Sequence, residues 1–232
     1  MQSTPQLNLK RTNYSVISKM KSKDTFNTLN IVTTAMLAAM AVILGSVVHM
    51  LAGGDTYWSA LFSPMHFPVL LAGILCGPWL GLICGALTPW ISFLANARPP
   101  FPNGLLPMFV ELAIYGFMTG MMRKIFLKNP KTNRFASVLA LVIAMVAGRL
   151  ANALVGAIFL TSPEKNYFVA LFAKFIDNFA ATWAAIIIQL VFIPTILFAL
   201  QKSGVLLKYL PDTPTAQKAV ASAEASGSDE ER

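Results

Sequence analysis

Charge is what this chain has least of. Only 12% of its 232 residues are Asp, Glu, Lys or Arg, about half the roughly 25% of an ordinary soluble domain. The shortage is concentrated: residues 25–54, 56–97 and 178–201 carry no charged side chain at all. A helix of about 20 apolar residues crosses the hydrocarbon core of a bilayer, so these stretches exclude a water-soluble globule. They are apolar on every side and do not alternate, which excludes the strands of an outer-membrane barrel. The expected fold class is an all-α integral membrane protein.

Cysteine and histidine are nearly as scarce. Two cysteines, Cys76 and Cys84, lie in or beside apolar runs and offer neither a disulfide framework nor the repeated C-x-x-C of a metal site. There are two histidines, acids are sparse within the apolar runs, and no H-E-x-x-H, G-x-S-x-G or Walker P-loop occurs. Those absences argue against an intramembrane enzyme and against ATP hydrolysis by the chain itself. No catalytic residue, metal ligand or cofactor of its own is expected.

Basic residues are present in excess, with a formal net charge of +8, but their placement argues against nucleic acid. They gather before residue 24 (Lys10, Arg11, Lys19, Lys21, Lys23), at Arg123, Lys124, Lys128, Lys131 and Arg134, and after the last apolar run (Lys202, Lys208, Lys218, Arg232). Clusters flanking apolar spans are the positive-inside signal, and no soluble domain is present to bear a basic binding face. The N-terminus, the 128–134 loop and the C-terminus are therefore expected in the cytoplasm. Loops 53–63, 96–104 and 161–170, whose only cations are Arg98 and Lys165, are expected outside.

The punctuation by proline and glycine sets out six spans: 29–51, 64–77 (short), 78–95, 105–127, 135–160 and 171–200. The first run is too long for a signal-peptide core and is expected to be retained. Residues 1–28 read as a basic cytoplasmic tail, 29–200 as a six-helix transmembrane domain, and 201–232, rich in Ala, Ser, Asp and Glu, as a largely disordered cytoplasmic tail. No long repeat suggests two matching transporter halves. Gly73, Gly77, Gly81 and Gly85 recur at intervals of four, and Ala35 and Ala39 lie one turn apart, spacings that let helices approach closely. Ordinary internal packing is the simpler account of both.

A charge near mid-bilayer costs roughly 2.5–3.5 kcal/mol on insertion scales. Arg98, in a Pro-rich loop, Glu111, about 9 Å into its span at 1.5 Å per residue, Arg149, Lys174 and Asp177 therefore call for an account. With this orientation all five can meet in the outer half, where they sum to +1. Lys174 and Asp177, three residues apart, can pair with each other; Glu111 and Arg149 can form one buried ion pair; Arg98 can be a solvated loop residue. Asn152 and Asn178 either bond across helices or line a pocket. The functional alternative is an outward-facing pocket for a small organic anion, with hydrogen-bonding groups added by His66, Trp58 and Asn96.

Specific residues then point to a family. Phe62-Ser63-Pro64-Met65-His66-Phe67-Pro68-Val69-Leu70-Leu71-Ala72-Gly73, followed by Cys76-Gly77-Pro78, Gly81, Gly85 and Pro89, resembles the substrate-binding S-components of energy-coupling factor (ECF) vitamin transporters. Pro99-Pro100, Pro107-Met108, Glu111-Leu112, Tyr115-Gly116, Gly120, Gly148-Arg149, Gln189 and Ile193-Pro194 extend the likeness over about residues 30–200. Arg98 departs from it, standing where a neutral residue is expected in many relatives. The resemblance implies a six-helix S-component with a vitamin site near the outer face, capped by the loop between spans one and two. It also implies that Ala35 and Ala39 form an A-x-x-x-A face that docks a transmembrane coupling subunit. That subunit binds two cytoplasmic ATPases, which hydrolyse the ATP, and transport involves toppling of the S-component in the bacterial cell membrane. Within the family's repertoire, pantothenate, with one carboxylate, fits the +1 excess best. Cobalamin, a pyridoxine or pyrimidine vitamin, and folate remain alternatives, as does an independent ion-coupled carrier.

Overall fold

The structure is a computed structural model, which describes residues 26–53, 55, 58, 61–128, 136–160 and 166–202. Both tails, Lys165 and most of the 128–134 loop lie outside the described residues. Among the described residues, seven helices follow one another: α1 Thr28–Leu51, α2 His66–Cys76, α3 Pro78–Asn96, α4 Leu105–Lys128, α5 Ala136–Leu160, α6 Tyr167–Ala181 and α7 Trp183–Lys202. No strand occurs among the described residues.

Four helices (α1, α3, α4 and α5) are long and apolar enough to cross a membrane, and α6 with α7 counts as a fifth if the pair is one span. Two of the expected spans take a different form. The second, expected over 64–77, is a helix of 11 residues, about 16 Å long at 1.5 Å per residue against a core of roughly 30 Å. Pro64 and Met65 form a turn ahead of it. Pro68 lies in the first helical turn, where no N–H is needed for the ladder.

The sixth span, expected to be continuous over 171–200, is broken. The α6 and α7 axes meet at 58°, with Thr182 between them. The Thr182 N–H donates to the Phe179 carbonyl at 3.3 Å instead of to Asn178. The Asn178 carbonyl accepts the Thr182 hydroxyl at 2.6 Å and the Arg149 guanidinium at 2.7 Å. A side chain inserted into the backbone ladder is one of the few recognised causes of a sharp bend.

The short helix α2 is the hub. It packs against α1, α3, α4 and α7, and all its residues except Phe67 and Leu75 are buried. Around Val69, Leu70 and Ala72 gather Leu37, Ala38 and Ala41 of α1, Leu112 and Tyr115 of α4, Leu141, Ala144 and Met145 of α5, and Ile193 and Leu197 of α7. Gly77, at φ 94°, makes the turn from α2 into α3, a conformation that a side chain would strain. The interval-of-four glycines serve this interior: a Cβ on Gly73 or Gly81 would strike the Gly116 carbonyl, and one on Gly85 the Leu112 carbonyl. At the far end of α2, Arg123 donates to the Ile74 carbonyl at 3.1 Å, so this member of the basic cluster also caps a helix C-terminus. The outward surface is apolar, from Ile31, Val32 and Ile43 on α1 to Phe168, Phe172, Val191 and Phe192 on the last pair.

Candidate functional site

The expensive side chains converge toward the end of the bundle where α2 and α4 begin and α5 ends. His66 opens α2, Glu111 lies in the second turn of α4, Arg149 and Asn152 sit one turn apart on α5, and Asn178 is in the last turn of α6. His66 Nε2 is 3.6 Å from Glu111 Oε1. Asn152 donates through Nδ2 to Glu111 Oε2 at 2.7 Å, and Asn178 donates through Nδ2 to Asn152 Oδ1 at 3.0 Å. A carboxylate only accepts, so Glu111 draws the Asn152 NH2 toward itself and leaves the Asn152 oxygen for Asn178. One carboxylate thus sets the direction of a chain of bonds from the hub to α6.

Burial makes these bonds matter. Glu111 is 5% exposed, Arg149 3% and Tyr115 not at all, and a buried polar group without a partner costs about 1–3 kcal/mol. Arg149 meets part of that cost through the Asn178 carbonyl and through the Phe179 ring, whose centroid is 5.6 Å from its guanidinium carbon. Tyr115 stands edge-on to His66, ring centroids 5.4 Å apart, within electrostatic reach of Glu111 and Arg149. Capacity is left over, since Tyr115 Oη, His66 Nδ1 and Arg149 Nε are buried without a hydrogen-bond partner among the described residues. No three His, Cys, Asp or Glu side chains among the described residues converge as a metal site.

Of the residues singled out from the sequence, His66, Glu111, Arg149 and Asn178 come together. The Glu111–Arg149 ion pair, one of the alternatives open from the sequence, does not form: no salt bridge within 4.0 Å joins them, because Glu111 is taken by His66 and Asn152 and Arg149 by a backbone carbonyl. Lys174 and Asp177 do not pair either. Lys174 is half-buried, its stem lying against Gly156 of α5 beside Asn152, whereas Asp177 is turned to the exposed side of α6. Asn152 and Asn178 bond to each other across helices.

Asn96 lies outside the cluster, exposed at the end of α3, where it donates to Ser46 Oγ of α1 at 2.7 Å. Arg98 follows that helix end, exposed, and no hydrogen bond or ion pair among the described residues ties it to the cluster. Trp58 is 50% exposed between α1 and α2. Ala35 and Ala39 lie on the exposed face of α1, opposite the buried Thr34, Leu37, Ala38 and Ala41. Sequence reasoning missed the parts played by Tyr115 and Thr182. Tyr115 could have been found from its position one turn after Glu111 on α4; Thr182 carries no such signal.

No curated protein and no solved structure matches the chain. The profile of one family, described as ECF transporter, substrate-specific component, matches residues 29–206. That match takes in every described helix of this multi-pass, all-helical protein except the first residue of α1. The chain belongs to the substrate-specific component (S-component) family of ECF transporters, and is a transporter subunit that captures substrate.

Proposed function

We propose that this S-component captures pantothenate, or a close hydroxy-acid amide, for import by a complex with a transmembrane coupling subunit and two cytoplasmic ATPases. In this reading the chain crosses a bacterial cell membrane six times, with α2 as a short second crossing and α6–α7 as a bent sixth, and both termini are cytoplasmic. The cluster then lies in the outer half, where substrate arrives. Ala35 and Ala39 offer the exposed small-residue face for docking.

The observation that supports the substrate class is the buried network around Arg149. It combines a cation that has lost only part of its hydrogen-bonding capacity with a hydroxyl and an imidazole nitrogen that lack partners. A ligand with a carboxylate, hydroxyls and an amide suits that set, with Lys174, Asn178 and Trp58 as further contacts and Arg98 at the rim.

The test is to purify the chain from a host grown with mixed vitamins and to identify any co-purified small molecule by mass spectrometry. Calorimetric titration of the apo-protein with pantothenate should follow. Recovery and saturable binding of pantothenate are expected. Cobalamin, folate or a pyridoxine- or pyrimidine-type vitamin in its place would overturn the substrate, and ion-driven uptake by the chain alone in liposomes would overturn the coupled mechanism.

A further inference from the structure

We propose that Arg149 is a positioning residue. Seated on the Asn178 carbonyl, it keeps the last span bent at Thr182 and so holds α6, with Lys174 and Asn178, against the polar cluster. Three independent observations lead here. First, α6 is the helix least committed to the bundle: none of its residues is buried, and its main neighbour is α5. By contrast, α7 is anchored by buried Ala185, Gln189, Ile193 and Leu197.

Second, the polar bonds that fix α6 all come from α5. Arg149 reaches the Asn178 carbonyl, Asn152 accepts from Asn178, and the Leu154 carbonyl accepts the Tyr167 hydroxyl at 2.9 Å. Third, the break has no proline or glycine to cause it, since residues 177–186 read Asp-Asn-Phe-Ala-Ala-Thr-Trp-Ala-Ala-Ile. In an undisturbed helix the Asn178 carbonyl would accept the Thr182 N–H. Here it accepts Arg149 and the Thr182 hydroxyl instead. Threonine hydroxyls commonly bond the carbonyl four residues back inside helices and produce at most a gentle bend. Thr34, Thr88 and Thr119 all do so within unbroken helices of this bundle. What distinguishes Thr182 is the arginine from α5.

Removing the guanidinium therefore lets the ladder close and the span straighten, which carries α6 away from the cluster. The consequence for capture rests on the cluster being the substrate site, as proposed above; the mechanical role does not.

The experiment uses the full chain in nanodiscs with Cys76→Ala and Cys84→Ala, spin-labelled at Phe168→Cys and Phe192→Cys, two exposed positions on either side of the break. At 1.5 Å per residue and a 58° bend, straightening lengthens the backbone separation by about 4 Å. Arg149→Met should show that increase and weaken pantothenate binding by about tenfold or more. Arg149→Lys, which keeps a donor, should restore both the short distance and most of the affinity. An unchanged distance in Arg149→Met overturns the proposal. So does an increase that leaves the affinity of a pantothenate-binding protein untouched.

If Arg149→Met cannot be purified, Thr182→Val decides. With the arginine in place the short distance should persist, and lengthening would assign the break to the hydroxyl and overturn the role of Arg149. A distance that responds as expected in a protein that does not bind pantothenate would defeat the substrate reading and leave the positioning role standing.

Discussion

Arg98 and Arg149 both stand outside the basic clusters, and in the proposed function they take different parts. Arg98 is exposed beyond the end of α3, free to meet an arriving carboxylate without first losing its hydration. Arg149 is buried and already committed to α6. A charge-assisted hydrogen bond contributes about 1.5–3 kcal/mol, or roughly ten- to a hundredfold in affinity. Arg98→Gln should weaken binding of pantothenate toward that range, less in proportion as solvent screens the exposed charge. Affinity for the corresponding neutral amide should stay nearly unchanged, as titration of both ligands would reveal. Equal losses for acid and amide would remove Arg98 from the carboxylate site. Asn152→Leu is a different kind of change. It strips half-buried Asn178 of its acceptor and buried Glu111 Oε2 of its 2.7 Å donor, the latter at about 1–3 kcal/mol. A lowered thermal unfolding midpoint without ligand is expected, and a variant as stable as the parent would mean that the network is not under load.

Helices α1 and α3 both carry small residues at intervals of four, yet the two stripes do opposite things. Those of α2 and α3 are spent inside the bundle, where Gly73 and Gly81 bring their backbones against Gly116. Those of α1, Ala35 and Ala39, are exposed. Gly116→Val should therefore abolish folded protein, judged by detergent-stable yield, because the added atoms meet the Gly81 carbonyl and overpacking forces backbones apart. Ala35→Leu or Ala39→Leu should leave yield and ligand binding intact and abolish transport in the assembled complex, because a close helix crossing has no room for the longer side chain. Loss of binding together with yield in the alanine variants would show that this face is needed within the subunit itself.

At the scale of the whole molecule, the charge distribution and the helix order make one arrangement self-consistent. In the orientation proposed above, the basic clusters fall on one side and the polar network lies in the outer half. Cysteines introduced at positions 10 and 131 should resist an impermeant thiol reagent in intact cells, while one at position 57 should react. The reverse pattern would invert the protein and place the network on the wrong side for uptake.

Hydrophobicity and charge act over tens of residues and need no partner, so the sequence alone was enough for the membrane class and the approximate helix boundaries, and it singled out Glu111, Arg149, His66 and Asn178, which the bundle brings together. Burying a charge is costly wherever the chain folds, and that cost can be read residue by residue. The Met-His-Phe-Pro stretch and the glycine spacing likewise led to the family before any contact was known. Other features depended on which helices became neighbours. Nothing in residues 177–186 announces a bend, because its cause is an arginine on another helix. The pairing of Glu111 with His66 and Asn152, in place of Arg149, follows from the distances between α2, α4 and α5. Whether Lys174 would face Asp177 or Gly156 was decided by how α6 rolled onto α5. Local composition fixes what each helix must bury or expose, and only the packed bundle decides which polar group meets which.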